Sequence, residues 1–282
     1  MKIENHKIAR LIVIPIIRNG KKVYTNADIK KGFGSFLAKT YNKMHFEFLV
    51  LPGGFLHLYN FPEKLINNED LTSLEKNHIE TFFDLAIEGA DGFFSDVFGK
   101  SMTKIKAVTD YITFGIDAFH PSNKKHIEMV GIFDVKKNIY KMTGKFYPTE
   151  YQKKWLIKIT DLKTHFIEIN KQEVLILGCH DLNVYNPRGQ AKALPDSDKK
   201  VTSEKFRKMC KQFKPDIVLH HPHSTDTPNI WNLAWKTLEK ELPNVKHYAS
   251  GILYDYDPKP RGSLEKVLEK TKKGDVIDFN LF

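Results

Sequence analysis

The chain has 282 residues, of which 41% are hydrophobic and 28% are charged, a composition typical of a globular protein with a sizeable core. No apolar run approaches the ~20 residues that a membrane-spanning helix needs, and two cysteines are too few for a disulfide framework, so we expect a protein of the reducing cytoplasm. The formal net charge is +10, but the lysine pairs are scattered along the chain, which indicates a solvated basic surface rather than a nucleic-acid interface.

Segments with the pattern of β-strands recur from one end of the chain to the other. Several are continuous apolar runs rather than strict alternations, which predicts strands that are buried on both faces of a sheet. The predicted strands are residues 7–17, 46–51, 111–119, 127–135, 164–170, 173–178, 216–221 and 248–256.

Four helices are predicted among these strands, over residues 70–89, 203–213, 227–242 and 263–270. The first is expected to stop at Gly89. The second is expected to begin at a Ser203 cap and to bury Cys210 on its apolar face. Because strands and helices mix throughout and no long linker divides them, we predict a single α/β domain over residues 1–282.

A cysteine, a histidine and an aspartate follow the predicted strand 173–178 in immediate succession, as Cys179, His180 and Asp181. Ligands usually bind at the carboxyl ends of strands in α/β folds, so Cys179 stands where a nucleophile would be useful. A cysteine attacks as the thiolate, and it needs a base or a cation nearby to lower its pKa. Free cysteines are also among the most buried residues, so a purely structural role for Cys179 stays open at this point.

A candidate for the activating cation lies in "YKMTGKFYPTE", where Lys145 comes just after a predicted hairpin strand and Glu150 follows five residues later. A partly buried lysine beside a carboxylate can hold a thiol as thiolate, donate a proton or stabilise an oxyanion. Alone, Lys145 is one lysine among many, and a solvated position is the ordinary alternative.

The order of these segments resembles the nitrilase (carbon–nitrogen hydrolase) superfamily. The resemblance rests on "IEMVGIFDV", a strand ending in "YKMTGKFYPTE", then "VLILGCHD" and "KPDIVLHHP". It implies a four-layer α-β-β-α sandwich, with two sheets packed face to face and helices outside. It also implies amidase-like hydrolysis of a small non-peptide C–N bond through a cysteine thioester, with no cofactor, and assembly as a homo-oligomer.

The resemblance implies a role for each matching residue. Cys179 would be the nucleophile, Lys145 the oxyanion stabiliser and proton donor, and Glu150 the supporting second carboxylate. One position departs from the family pattern, because the general-base glutamate expected after the proline of the early strand is Gly53 in "VLPGGF". The thiol would then depend on Lys145, His180 or a carboxylate such as Asp117 or Asp181 for activation.

A second cluster of polar residues, "HHPHSTD", runs from His220 to Asp226 after another predicted strand. We expect His221 and His223, together with His180 and Asp181, to bind the small-molecule substrate, with no metal. Two alternatives stay open. The "GCHD" and "HHPH" turns resemble fragments of metallophosphoesterases, in which His221 and His223 would hold a divalent metal. An inactive member of the nitrilase superfamily would instead use Lys145, Arg188, His221 and His223 to bind an acidic ligand.

Overall fold

The computed structural model describes residues 2–18, 21–58, 76–119, 124–188, 197–225, 227–254 and 262–281. The strands of this part of the chain are β1 (Glu4–Val13), β2 (Ile16–Arg18), β3 (Lys21–Val23), β4 (Met44–Val50), β5 (Leu56–Leu58), β6 (Thr109–Phe119), β7 (His126–Asp134), β8 (Ile139–Gly144), β9 (Phe166–Ile169), β10 (Gln172–Leu177), β11 (Ile217–His220), β12 (His247–Ser250), β13 (Ile252–Leu253), β14 (Lys272–Lys273) and β15 (Val276–Asn280). The α-helices are α1 (Asn26–Thr40), α2 (Lys76–Phe98), α3 (Met102–Val108), α4 (Asp198–Phe213), α5 (Pro228–Glu241) and α6 (Leu264–Lys270).

Two mixed sheets carry the architecture. The first sheet has the strand order β13-β1-β4-β6-β7-β8, with β15 also paired to β1 and β5 also paired to β6. The second sheet has the order β14-β12-β11-β10-β9, in which β10, β11 and β12 are parallel and the edge strands β9 and β14 are antiparallel. The strands β2 and β3 form a separate hairpin.

The two sheets pack face to face through apolar side chains. Phe48 and Val50 of β4 meet Ile176 of β10 and Leu219 of β11 in this inner layer, where all four are fully buried. The outer face of the first sheet packs against α1, α2 and α3, and the outer face of the second packs against α4 and α5. The order of layers is therefore helix, sheet, sheet, helix, which confirms the predicted four-layer sandwich.

Two predicted helix boundaries are wrong. Helix α2 runs through Gly89 to Phe98. Gly89 is therefore not a helix stop; it lies against the Leu58 side chain, where a larger residue would clash. Helix α4 begins after Ser197, whose side chain accepts a hydrogen bond from the Lys200 N–H. Ser203 lies inside α4 and donates to the Lys199 carbonyl. All seventeen residues between β5 and α2, where the helix was predicted to begin, lie outside the described residues.

The turn after β4 passes close over β6, and this crossing positions the site described below. The Leu51 N–H donates to the Thr113 carbonyl and the Gly115 N–H donates to the Pro52 carbonyl. A Cβ atom on Gly115 would run into the Cα of Gly53. The turn therefore needs glycine at residue 115, and it brings residues 52–54 beside the carboxyl end of β6.

Of the described helices, none combines the length and the apolar character that crossing a membrane requires.

Candidate active site

Cys179 and the histidine segment lie together because their strands are parallel neighbours. Cys179 comes two residues after β10, and His221 follows β11 directly. The carboxyl ends of adjacent parallel strands meet at one edge of a sheet. The His223 N–H accordingly donates to the Cys179 sulfur over 3.3 Å. Two segments more than forty residues apart thus form one wall of a cleft.

The first sheet supplies the opposite wall through a row of three charged residues. Asp117 of β6 is the direct cross-strand partner of Glu128 of β7, and the Lys145 N–H donates to the Glu128 carbonyl just beyond β8. Cross-strand partners project from the same face of a sheet. All three side chains are buried, so the row places two acidic side chains and one basic side chain between the two sheets.

Lys145 and Glu128 form a buried ion pair of 2.8 Å. Gln152 holds both partners, since its Oε1 accepts from the Lys145 Nζ at 2.7 Å and its Nε2 donates to the Glu128 Oε1 at 2.6 Å. Burial opposes charge on Lys145, but the Cys179 thiolate and Glu128 raise its pKa above the ordinary value. Burial likewise opposes charge on Glu128, but His223, His126 and Lys145 hold the pKa of this carboxyl below its ordinary value. Both groups are therefore charged at neutral pH.

His223 is held from the other side by Asp117. The His223 Nε2 lies 2.8 Å from both carboxylate oxygens of Asp117, and its Nδ1 lies 3.5 Å from the Glu128 Oε2. Burial lowers the pKa of His223, but Asp117, the Cys179 thiolate and Glu128 outweigh burial and raise it well above the ordinary value. The side chain of His223 is still 31% exposed, so it can meet a molecule that enters the cleft.

The sulfur of Cys179 lies at the centre of these groups. A ligand atom from each of Glu128, Cys179 and His223 lies within 4.8 Å of the other two. Burial raises the pKa of the Cys179 thiol, but His180, His223 and Lys145 outweigh burial and bring it well below the ordinary value. Burial raises the pKa of the other cysteine, Cys210, to about 12. The two cysteines are both buried, yet only Cys179 is placed to carry a negative charge.

Asp181, His220 and His221 stabilise the cleft through hydrogen bonds to the main chain. The Asp181 carboxylate accepts hydrogen bonds from the N–H groups of Phe146, Tyr147 and Gly178, at 3.2, 3.0 and 2.8 Å. These bonds join the segment after β8, which carries Lys145, to the turn before Cys179. His220 Nε2 lies 2.8 Å from the Cys179 carbonyl and His221 Nδ1 lies 2.7 Å from the Leu51 carbonyl.

Several of the residues predicted for the site occupy one cleft, and others do not. Cys179, Lys145, His180 and His223 are brought together. Glu150 is not, because its side chain is 73% exposed and pairs with Lys153 and Lys199 at the surface; Glu128 takes the place beside Lys145 instead.

Asp181 and His221 lie near the cleft but do not face it as substrate-binding groups. Asp181 is fully buried and both its oxygens accept backbone hydrogen bonds. His221 is 1% exposed, and its Nδ1 is bonded to the main chain of the neighbouring turn. Both residues therefore fix the shape of the site. Asp226 lies outside the described residues.

The metal-binding pair of the metallophosphoesterase alternative, His221 and His223, does not form. His221 bonds to the Leu51 carbonyl, whereas His223 bonds to Asp117. Within the described ranges, the one set of three side chains with the spacing of metal ligands is Glu128, Cys179 and His223. The Lys145 ammonium already contacts that carboxylate, and a cation placed there would be repelled by it.

The ligand-binding set of the other alternative does not form either. Lys145 is fully buried and bonded to Glu128, and His221 is buried against the main chain. Arg188 lies exposed on the surface. These side chains do not converge on one acidic ligand.

Glu128 is the residue of this site that sequence reasoning missed, and Asp117 entered only as one of several substitute carboxylates. A signal for both was present, because each is an acidic residue within an otherwise apolar strand. Carboxylates are almost never buried unless they are paired. Two of them in adjacent buried strands predict a cationic partner between the sheets.

No protein-family model matches this chain, and no curated protein gives a match. Among solved structures, the chain is similar to a cysteine-to-alanine mutant of the Nesterenkonia AN1 amidase from the nitrilase superfamily, with 10% identity, 92% of this chain and 79% of that chain covered, and a TM-score of 0.46. It is similar to an amidase from Nesterenkonia sp. with 10% identity, coverage of 92% and 80%, and a TM-score of 0.44.

A third structure is a mutant of the amidase from Nesterenkonia sp. AN1 that carries the acetamide moiety of fluoroacetamide on its active-site cysteine. Its identity to this chain is 10%, its coverage is 91% and 78%, and its TM-score is 0.43. At this identity and these TM-scores, the activity of those amidases does not transfer to this chain.

Proposed function

We propose that this protein is a cysteine-dependent hydrolase of C–N bonds in small amides. The observation that carries the proposal is the position of the Cys179 sulfur, which lies among Lys145, Glu128 and His223 at the end of a buried strand. A thiol held near a buried ammonium and an imidazole is an activated nucleophile. A cysteine that served packing alone would have apolar neighbours, as Cys210 has in the helical layer.

Each group has a role in such a reaction. The Cys179 thiolate attacks the carbonyl carbon of the amide, and the C–N bond breaks to leave a thioester and a free amine. The Lys145 ammonium stabilises the negative oxygen that develops during the attack. Glu128 and Gln152 hold that ammonium in place through bonds of 2.8 and 2.7 Å. Water then cleaves the thioester and releases the carboxylic acid.

The exposure of the cleft favours a small substrate. Cys179 is 4% exposed and Lys145 is fully buried, so the reacting carbonyl has to reach a sulfur that is almost completely enclosed. The main chain of a folded polypeptide is flanked by side chains and neighbouring strands, which hinders its approach to such a sulfur. Small primary amides, which carry little beyond the reacting group, are therefore the first compounds to assay.

The test combines turnover with trapping of the intermediate. We expect the purified protein to release ammonia from some member of a panel of small primary amides, and Cys179→Ala to abolish that release. We also expect iodoacetamide at neutral pH to modify Cys179 and to leave Cys210 unmodified, as peptide mass spectrometry would show. Cys210→Ser is the matched control, and it should retain both turnover and labelling.

Two results would remove the proposal. One is ammonia release that survives in Cys179→Ala. The other is equal and slow labelling of both cysteines in the native protein. A third result would assign the cluster to metal binding instead. In it, the purified protein contains a stoichiometric metal that protects Cys179 from iodoacetamide, and Glu128→Gln loses both the metal and the protection.

A further inference from the structure

Gly53 stands where the pattern of the nitrilase superfamily has its general-base glutamate, and this position has no room for any side chain. A Cβ atom on Gly53 would run into the carbonyl oxygen of His221. A Cβ atom on Gly54 would lie 2.8 Å from the His223 ring and 2.9 Å from an Asp117 oxygen, and Gly54 also has a φ of +60°. The glycines are therefore required by what packs against them, and the space is filled.

The main chain of the histidine segment fills the space at Gly53, and the His223 side chain fills the space at Gly54. The segment His221–His223 packs on the Pro52–Gly54 turn, where the Gly53 N–H donates to the Pro222 carbonyl at 3.0 Å. This contact sets the His223 ring beside Asp117 on one edge and beside Cys179 and Glu128 on the other. An imidazole backed by a carboxylate thus stands at the nucleophile.

The other acidic and basic groups of the cleft are engaged elsewhere or lack an orienting carboxylate. His180 also faces the Cys179 sulfur, but its Nδ1 has no hydrogen-bond partner among the described residues. Glu128 is engaged by Lys145 and Gln152 at both oxygens. Burial raises the pKa of Asp181 to about 7, but this carboxyl is fully enclosed and both its oxygens accept main-chain hydrogen bonds. Lys145 is already a protonated partner of Glu128. His223 differs, because Asp117 engages only its Nε2 within hydrogen-bond distance and its Nδ1 is 3.5 Å from the nearest carboxylate oxygen.

We propose that His223, oriented by Asp117, is the general base of this site and supplies the proton-accepting function that the sequence lacks at Gly53. This inference rests on the proposed function and adds to it a Cys179–His223–Asp117 triad. His223 acts directly on the reacting atoms, whereas Asp117 is a positioning residue that fixes the tautomer with the proton on Nε2.

The proton balance of the reaction closes on His223. In the resting enzyme the thiol proton resides on the His223 Nδ1 and Cys179 is a thiolate. As the C–N bond breaks, Nδ1 gives this proton to the leaving nitrogen, which departs as the amine. Neutral Nδ1 then takes a proton from water while the water oxygen attacks the thioester carbon. The C–S bond breaks, the acid leaves, and the thiolate and imidazolium are restored.

The charges around His223 suit both halves of this cycle. Asp117 of β6, Glu128 of β7 and the Cys179 thiolate all favour its protonated form, while the Lys145 ammonium adds positive charge to the same cleft. Formation of the thioester removes the negative charge of Cys179. The pKa of His223 therefore falls in the acyl-enzyme, at the step where it has to accept a proton.

The test measures the rate at which iodoacetamide alkylates Cys179 as a function of pH, since only the thiolate reacts. We expect the wild-type rate to be nearly constant from about pH 6 to pH 8. For His223→Gln we expect a rate at least about tenfold lower at pH 6 that recovers near pH 9, because a shift of one pKa unit changes the thiolate fraction tenfold. Asp117→Asn should shift the profile in the same direction by less.

Amide hydrolysis provides the second readout. His223→Gln should lower kcat by about 10²–10⁴-fold, and imidazole added to His223→Gly should restore part of it. The matched control is the surface pair of His45 and Asp110, which are 3.3 Å apart and outside the cleft. His45→Gln and Asp110→Asn should leave both the alkylation profile and kcat unchanged.

The outcomes separate the inference from the proposed function. If Cys179→Ala abolishes turnover while His223→Gln keeps the wild-type profile and kcat, the triad is wrong and the hydrolase stands. If Cys179→Ala keeps turnover, both fail. Circular dichroism checks that each variant folds, and Asp117→Asn, which preserves the shape of its side chain, provides the decision if His223→Gln does not fold.

Discussion

Glu128 and Glu150 show how strongly the surroundings decide what one residue type does. Glu128 is 7% exposed and bonded to a buried lysine, whereas Glu150 is 73% exposed and pairs with two surface lysines. Breaking a buried pair leaves an uncompensated charge and costs about 3–5 kcal/mol. An exposed pair contributes about 0–1 kcal/mol. The same substitution at the two positions should therefore have very different effects.

We expect Glu128→Gln to lower amide turnover by about 10²-fold or more and to weaken folding, because Lys145 then lies buried beside a neutral amide. Glu150→Gln should leave turnover and the free energy of unfolding almost unchanged. Steady-state kinetics and urea unfolding of the two variants check this pair. Similar losses in both variants would contradict the assignment of Glu128 as the carboxylate that holds Lys145.

At the residue scale, the sequence predicts the position of Cys179 better than the positions of the groups around it. Cys179 and Lys145 lie after strands whose apolar pattern is clear, so their placement at strand ends follows from local signals. The proximity of Asp117 and Glu128 depends on the register between β6 and β7, which no local pattern specifies. The attachment of His223 to the Gly53–Gly54 turn depends on packing between the two sheets.

At the scale of elements, two glycines with different surroundings separate the effect of space from that of chain flexibility. Gly34 lies in α1, and a Cβ atom there would meet nothing within 4 Å. Gly115 lies in β6 against the Gly53 main chain. The first glycine weakens its helix, while the second is required by the crossing turn.

We expect Gly34→Ala to stabilise the protein by about 0.5–1 kcal/mol, because alanine has the higher helix propensity. Gly115→Ala should destabilise it by about 1–3 kcal/mol through overpacking, and should reduce turnover because the turn under His223 is displaced. Urea unfolding measures both changes. A Gly115→Ala variant as stable as wild type would show that the turn does not need this close approach.

Glycines also explain why one helix escapes prediction from the sequence. Helix α1 was not predicted, and it contains Gly32 and Gly34, which lower helix propensity. A capping box formed by Thr25 and Asp28 begins this helix. Gly32 lets the helix approach the main chain of Leu281, a contact that a reading of local pattern cannot include. The long strands and the helix α5 have a clear apolar pattern and were predicted near their observed positions.

For the molecule as a whole, three buried histidines make stability depend on pH. Burial lowers the pKa of His165 and His221 to about 4 and that of His220 to about 3, from an ordinary value of 6.5. In the unfolded chain these side chains take up protons below pH 6.5, whereas in the folded protein they do not. The unfolded state therefore binds more protons in this window, and stability falls as the pH falls.

We expect each of these histidines to lower the free energy of unfolding by up to about 1.4 kcal/mol per pH unit as the pH falls from 6.5 to 4. Asp181, whose pKa burial raises to about 7, offsets about one histidine's share, because in this window the folded protein holds a proton on Asp181 that the unfolded chain has released. The contribution of His223, whose pKa is raised, is fully present below pH 6.5 and does not add to this slope. His165→Gln should flatten the dependence by one histidine's share. Urea unfolding at several pH values measures the slopes, and an unaltered slope in His165→Gln would contradict the prediction.

The pairing of β1 has a consequence for how the protein is made. On one side β1 pairs with β4, but on the other it pairs with β13 and β15, and its buried Arg10 bonds to Asp278 and Thr271. A ribosome has to translate about 270 more residues before these partners exist. During that time the nascent chain carries an unpaired apolar edge and an unneutralised guanidinium, so native folding of the larger sheet is completed only after synthesis has passed residue 280.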